Sequence, residues 1–231
     1  MNFYESTHFG LRVTLYDLTS SVERNIKIRL IPMVHIGEKE YYKEVENKLM
    51  ESNIILYEGF KMENNRLRIE NRKILAKRLG LVTQAKFNLK QFKDKLVHAD
   101  FDPETAKEKW NKLPLIDRIK SNLFFPIYMY FQDRTLTRIK FVKYFMKSNE
   151  DIEMSEGPMF DKKERLKKYF HYERDEILFK QIDKTIEQNG TKSNLISIVY
   201  GAGHMKSIFR YLSKKYEYKA ISGEFIDVFK T

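Results

Sequence analysis

The chain has 231 residues, 42% of them hydrophobic and 32% charged, with 43 Lys/Arg against 32 Asp/Glu for a net charge of +11, 5 Pro, 9 Gly and no Cys. At this length folding removes roughly 70–75% of the chain's surface from water, so one domain can be stable without disulfides or structural metals. The composition argues against long disordered or low-complexity tracts, and the missing cysteines exclude thiol catalysis, disulfide scaffolds and cysteine metal sites.

In chain order, residues 9–17 and 26–35 both alternate apolar and polar side chains. With the polar turn around Ser20–Asn25 between them, they predict an antiparallel hairpin. Tyr41, Tyr42, Val45 and Leu49 recur at helical spacing and predict an amphipathic helix over Glu38–Ser52. Ile54–Tyr57 reads as a short buried strand closed by Glu58-Gly59, and residues 63–79 as a charged helix stopped by Gly80. A further strand, Leu96–Ala99, ends at Asp100, and Asp102-Pro103 starts a helix with proline at its first position. Residues 104–150 and 159–189 are helical by pattern, with breaks at Pro114, Pro126 and Gly157-Pro158. Leu195–Tyr200 is the clearest buried strand; Gly201-Ala202-Gly203-His204 and a helix to about Lys215 follow it. Tyr218–Phe229 closes the chain as a strand region interrupted by Gly223. The expected fold is a single α/β domain over residues 1–231, with a central mixed, largely parallel sheet flanked by helices and a helical insertion at about 104–190.

The positive charge is local. Residues 61–150 hold 21 basic and 10 acidic residues, whereas the flanks hold 22 of each. Such a segment suits an anionic partner or peripheral membrane contact, although a solvated helical face has the same composition. No nucleic-acid-binding module accompanies it, so nucleic acid is not an expected partner. The longest apolar run, about nine residues around Leu123–Phe131, falls short of the roughly 20 needed to cross a bilayer. The first residues show neither a basic nor an apolar leader region, and the expected location is the cytoplasm.

Four strands end in a group capable of chemistry: His35, Glu58, Asp100 and His204. In open α/β sheets such groups gather beyond the carboxyl ends of parallel strands. Two imidazoles and one or two carboxylates form a ligand set for a divalent metal with an open water position, and metal-bound water is a nucleophile near neutral pH. His8, His98 and His171 lie outside this pattern and read as core or surface residues. Gly201-Ala202-Gly203 lacks the third glycine of a dinucleotide fingerprint, since Lys206 occupies that place. The two glycines instead allow a tight turn that sets His204 at a helix start. No nucleophile elbow, P-loop or His-Glu-x-x-His helix is present.

Taken together, His35 after its strand, Tyr57-Glu58-Gly59, Glu173-Arg174-Asp175 and Val199-Tyr200-Gly201-Ala202-Gly203-His204 resemble the TraB/TIKI (GumN-like, pheromone-shutdown) family. Leu79–Gln84 and His98-Ala99-Asp100 resemble its intermediate segments, and the likeness spans roughly residues 26–229. The resemblance implies a fold shared with erythromycin-esterase and ChaN-like proteins, and hydrolysis of a peptide or small-molecule substrate with Mn, Co or Zn. It implies His35, Glu58 and His204 as metal ligands. Asp100 would be a fourth ligand or water-orienting base, and Arg174 the stabiliser of an oxyanion or substrate carboxylate. Pro32 stands where the family's first motif has glycine. The rival expectations are a non-catalytic ligand- or haem-binding protein on the same fold, and a metal-free esterase using His35 and Glu58.

Overall fold

The computed structural model describes residues 1–23, 25–59, 66–119, 136–142, 171–190 and 194–231. Nine strands are described: β1 (Tyr4–Thr7), β2 (Gly10–Ser20), β3 (Ile26–Met33), β4 (Ile36–Gly37), β5 (Ile54–Tyr57), β6 (Val82–Thr83), β7 (Leu96–His98), β8 (Asn194–Gly201) and β9 (Tyr218–Lys230). The described helices include α1 (Lys39–Met50), α2 (Arg66–Arg78), α3 (Pro103–Lys112), α4 (Leu115–Ile119), α5 (Glu173–Asn189) and α6 (Met205–Tyr216). The fold is α/β, a mixed sheet flanked by helices. The aromatic stretch Phe124–Phe131 and most of the expected insertion lie outside the described residues.

The sheet has a parallel half and an antiparallel half. β3, β8, β5 and β7 lie side by side and all parallel. β2 runs antiparallel to β3, and β9 follows β2 antiparallel from Ser20 to Gly10 while β1 pairs with residues 10–13 of β2. The expected hairpin is therefore β2–β3. The final strand is not interrupted at Gly223: it runs through, and glycine leaves room there for the Tyr16 ring, which would stand 2.9 Å from a Cβ.

Alternation divides the core into two clusters, one on each face. Ile31, Met33, Ile55 and Val199 point to the face covered by α1 (Tyr41, Tyr42, Val45, Leu49) and α2 (Leu75, Ala76, Leu79). Ile28, Leu30, Leu56, Ile196 and Ile198 point to the face covered by α5 (Leu178, Ile182, Ile186) and α6 (Ile208, Leu212). Period-2 strands and period-3.6 helices allow this division, and a polar side chain buried between the layers finds a partner, as Ser197 does with Ser52 at 2.7 Å. α2 ends where Gly80 takes φ +65°, a left-handed turn that suits glycine. α3 begins as expected, with Asp102 accepting N–H bonds from Glu104 at 3.0 Å and Thr105 at 2.9 Å ahead of Pro103.

The chain leaves β5 toward α2 on one face and leaves β8 toward α6 on the other. Neighbouring parallel strands whose exits diverge in this way open a crevice between their carboxyl ends. Glu58 and Gly201 stand on its two sides.

Candidate functional site

Glu58 is delivered by β5, whose ladder continues one step through the Glu58 N–H to Val199 O bond of 3.1 Å. Asp100 is delivered by β7 in the same way, its neighbour Ala99 donating to Tyr57 O at 3.1 Å. Arg174 arrives from α5. The buried residues Arg174, Leu178, Ile182 and Ile186 recur every four positions, so Arg174 is the last rung of the apolar stripe, where the helix reaches the sheet's carboxyl edge. Its guanidinium donates through Nε and Nη2 to Asp100 at 3.0 and 2.7 Å, and through Nη2 to Glu58 at 2.5 Å. The Arg174, Asp100 and Glu58 side chains are 7%, 0% and 16% exposed, so the ion pairs are largely desolvated. Burial alone would raise the pKa of Glu58; the charge and hydrogen bond of Arg174 outweigh it and hold the carboxyl at about 2, with His35 and His204 contributing.

Glu58 Oε2 also accepts the Gly201 N–H at 2.7 Å. Glycine has a steric reason here: a Cβ at position 201 would stand 3.1 Å from Glu58 Oε2 and 3.5 Å from His204 Cδ2. The carboxylate and the Cδ2 edge of the imidazole therefore flank one small space.

His204 is buried at the start of α6, after the Gly201-Ala202-Gly203 turn. Its Nδ1–H donates to Asp175 Oδ1 at 2.6 Å, and Ser207 Oγ donates to Asp175 Oδ2 at 2.6 Å. The carboxylate fixes the Nδ1–H tautomer and leaves Nε2 as the proton acceptor. His171 stacks on the His204 ring at 4.7 Å, and Tyr200 meets it edge-on at 5.0 Å.

His35 lies beyond β3 on backbone gripped by α1. Tyr41 Oη donates to Pro32 O at 2.8 Å and accepts from the Val34 N–H at 3.3 Å, while Tyr42 Oη donates to Val34 O at 2.9 Å. Pro32 loses nothing in this segment, since the grip uses its carbonyl and not an N–H. The His35 Nδ1–H donates to Gln84 Oε1 at 2.8 Å, and the Gln84 N–H donates to His35 O at 2.9 Å. His35 is open to water yet surrounded by protein on most sides, as a side chain lining a crevice is. Its pKa lies below the usual imidazole value, through that desolvation first and the Arg72 charge second, with Glu58 opposing.

Four of the five expected residues are thus interlinked. Glu58, Asp100 and Arg174 form one ion-paired unit, and His204 shares a wall with Glu58. His35 is fixed by Gln84 and acts on Glu58 through its charge when protonated. A metal held by His35, Glu58 and His204 needs a carboxylate oxygen free to ligate. Both Glu58 oxygens are engaged, a guanidinium stands against them, and both Asp100 oxygens also face Arg174. Among the described residues no three His, Asp or Glu side chains form a metal-holding group. The arrangement does not fit a three-ligand ion as it stands.

Asp175, Ser207, Gln84, His171 and Arg72 were not singled out by sequence as site residues. An open groove of about 420 Å³ between α5 and α6 is lined by Phe179, Ser207, Arg210, Tyr211, Lys214 and Lys215. It touches the site only through Ser207. Among the described residues no helix is long and apolar enough to cross a membrane. No protein-family model, curated protein or solved structure matches this chain.

Proposed function

We propose that the chain is a hydrolase of ester or amide bonds, with His204 as general base in the crevice between the ends of β5 and β8. The observation that carries this reading is the Asp175–His204 pair at 2.6 Å, with the Cδ2 edge of the ring facing Glu58 and Gly201. A carboxylate behind Nδ1–H makes Nε2 a better base and stabilises the imidazolium that forms when it takes a proton.

In the reaction, His204 Nε2 removes a proton from water as the oxygen attacks the substrate carbonyl. The carbonyl π electrons move onto oxygen, and the resulting anion faces the Arg174 charge. Collapse of the tetrahedral species expels the leaving group, which takes the proton back from His204. Arg174 is pre-set by Glu58 and Asp100, so no reorganisation is needed when charge develops. His35, held mostly neutral, accepts a second hydrogen bond from the water and orients it. The TraB/TIKI likeness supports hydrolysis and brings a divalent metal as the competing version of the same site.

The test is turnover of a panel of activated esters and short peptides by the purified chain, after dialysis against EDTA and again after adding Mn²⁺, Co²⁺ or Zn²⁺. Activity that survives EDTA and is lost in His204→Gln is the expected result. Activity that appears only with added metal replaces the general-base mechanism, and no turnover under any condition removes the hydrolase reading.

A further inference from the structure

Strand β9 runs over 13 residues and, among the described residues, pairs with β2 alone, so its other edge faces outward. That edge differs along its length. Near the C-terminus the Glu38 N–H donates to Val228 O at 2.7 Å, Arg138 Nη1 donates to Lys230 O, and the Phe141 ring stacks on Phe229 at 5.7 Å. From Lys219 to Phe225 every residue is exposed. Among the described residues, no backbone hydrogen bond other than the β2 ladder reaches this stretch. Ile221 and Phe225 are 59% and 54% exposed. A bare, partly apolar edge is a template for another strand.

The side chains say which strand. Glu224 pairs with Leu15 and meets Lys48 of α1 at 2.7 Å, so it stands on the α1 face of the sheet. Tyr218 packs in the cluster covered by α5 and α6, so its neighbour Lys219 also stands on the α1 face. Five residues apart, Lys219 and Glu224 would fall on opposite faces of a regular strand. The register shifts between Asp17, paired with Ser222, and Leu18, paired with Ala220, and the extra residue Ile221 restores the common face. Edge charges and bulges repel most strands. An antiparallel copy of the same segment is the exception. With a two-fold axis between positions 221 and 222, Lys219 stands opposite Glu224 of the partner subunit, and Glu224 opposite the partner's Lys219. Ala220 then meets the partner's Gly223, and Ile221 the partner's Ser222.

We infer that residues 219–224 of β9 are the interface of an isologous homodimer, in which two sheets join through an antiparallel β9–β9 pair. Opposite charges directly across the strands fix the register, and a slipped register loses both pairs. The pairing is about 20 Å long, and an interface of that size gives weak, reversible association. β2 and β3 separate β9 from β8, so each copy keeps its own crevice, and the inference does not depend on the hydrolase reading.

The test is sedimentation equilibrium of the full chain from about 10 µM to about 1 mM, with folding checked by circular dichroism. Wild type should pass from monomer toward dimer across this range. Lys219→Glu and Glu224→Lys each set two like-charged pairs across the axis and should weaken the dimer about tenfold or more. The double reversal restores opposite charges and should recover most of that loss. Ser222→Cys gives an independent reading, since the chain has no other cysteine and the two thiols would lie beside the axis. On mild oxidation it should cross-link faster than Lys184→Cys on the exposed side of α5. A monomer at every concentration, a dimer indifferent to the single reversals, no recovery in the double reversal, or equal cross-linking of the two cysteine variants overturns the inference.

Discussion

Two buried arginines in this molecule make nearly the same bonds in very different surroundings. Arg29 on β3 donates through Nε and Nη2 to both oxygens of its cross-strand partner Asp17, and through Nη1 to Glu51 at 2.6 Å. Arg174 likewise grips Asp100 with Nε and Nη2 and reaches a second carboxylate, Glu58. Arg29 also donates to Lys48 O in the last turn of α1, closing a helix end that lacks its own partners. Among the described residues no imidazole is its partner, and the Glu51 side chain is 59% exposed. Arg174 stands instead where two strands diverge, against a glycine turn and within reach of imidazoles. A buried arginine–carboxylate pair is therefore not a mark of function by itself; what shares its wall is.

The largest expected effect comes from deleting the two guanidiniums. Arg174→Ala leaves Glu58 and Asp100 buried without a cation, and should cost about 3–5 kcal/mol in urea unfolding together with all measurable hydrolysis. Arg29→Ala should cost less, about 1–3 kcal/mol, because Glu51 reaches water, and its folded fraction should turn over normally. Equal effects of both changes on turnover would erase the contrast.

Next in size is the proton acceptor. Asp175→Asn should lower kcat about 10²–10⁴-fold with a small change in unfolding midpoint, because the imidazole loses its anchor and charge partner. A split of kcat from KM separates this from a purely structural loss, since kcat should fall while KM stays near the wild-type value.

The pH dependence of stability sharpens the same comparison. Glu58 titrates near 2 in the folded chain against an ordinary 4.5, so its contribution is complete above pH 4.5 and disappears as pH falls toward 2. That shift corresponds to about 3 kcal/mol, and Glu58→Gln should flatten this part of the acid limb. His35 has the opposite chemistry and the same acid direction. Its pKa is lowered on folding, so the unfolded chain takes its proton first and stability declines as pH drops below about 6.5. Chemical denaturation at a series of pH values in wild type, Glu58→Gln and His35→Gln checks both.

The smallest effect concerns the grip on the β3 exit. Tyr42→Phe removes one hydrogen bond to Val34 O and should cost about 1 kcal/mol by thermal or urea unfolding.

Strands and their polar ends were legible in sequence because alternation and apolar runs are local. Met33 pairs with Gly201, and Tyr57 with His98 and, two residues short of Gly201, with Val199, at the same ends of parallel strands, which is why His35, Glu58, Asp100 and His204 fall on one edge. Asp175 could not be read this way, since its meeting with His204 depends on how α5 lies across the sheet. His171, set aside as core or surface, stacks on His204 for the same reason. His98 was set aside too, and it stands exposed, with its ring edge-on to Tyr57 at 5.5 Å. Arg174 carried a readable signal, an arginine at the four-residue spacing of Leu178, Ile182 and Ile186. The expected helix over 63–79 has its described part at Arg66–Arg78. Residues 120–135 and 143–170, which hold much of the expected insertion, lie outside those described.

The central claim is that the β5–β8 crevice is a hydrolytic site run by His204. Its most direct test is the EDTA-treated turnover of wild type, His204→Gln and Arg29→Lys on the same ester and peptide panel, with each variant's folded fraction measured by circular dichroism. The account predicts turnover in wild type and Arg29→Lys, and a loss of about 10²-fold or more in folded His204→Gln. Wild-type rates in folded His204→Gln, or no turnover by any of the three, would contradict it.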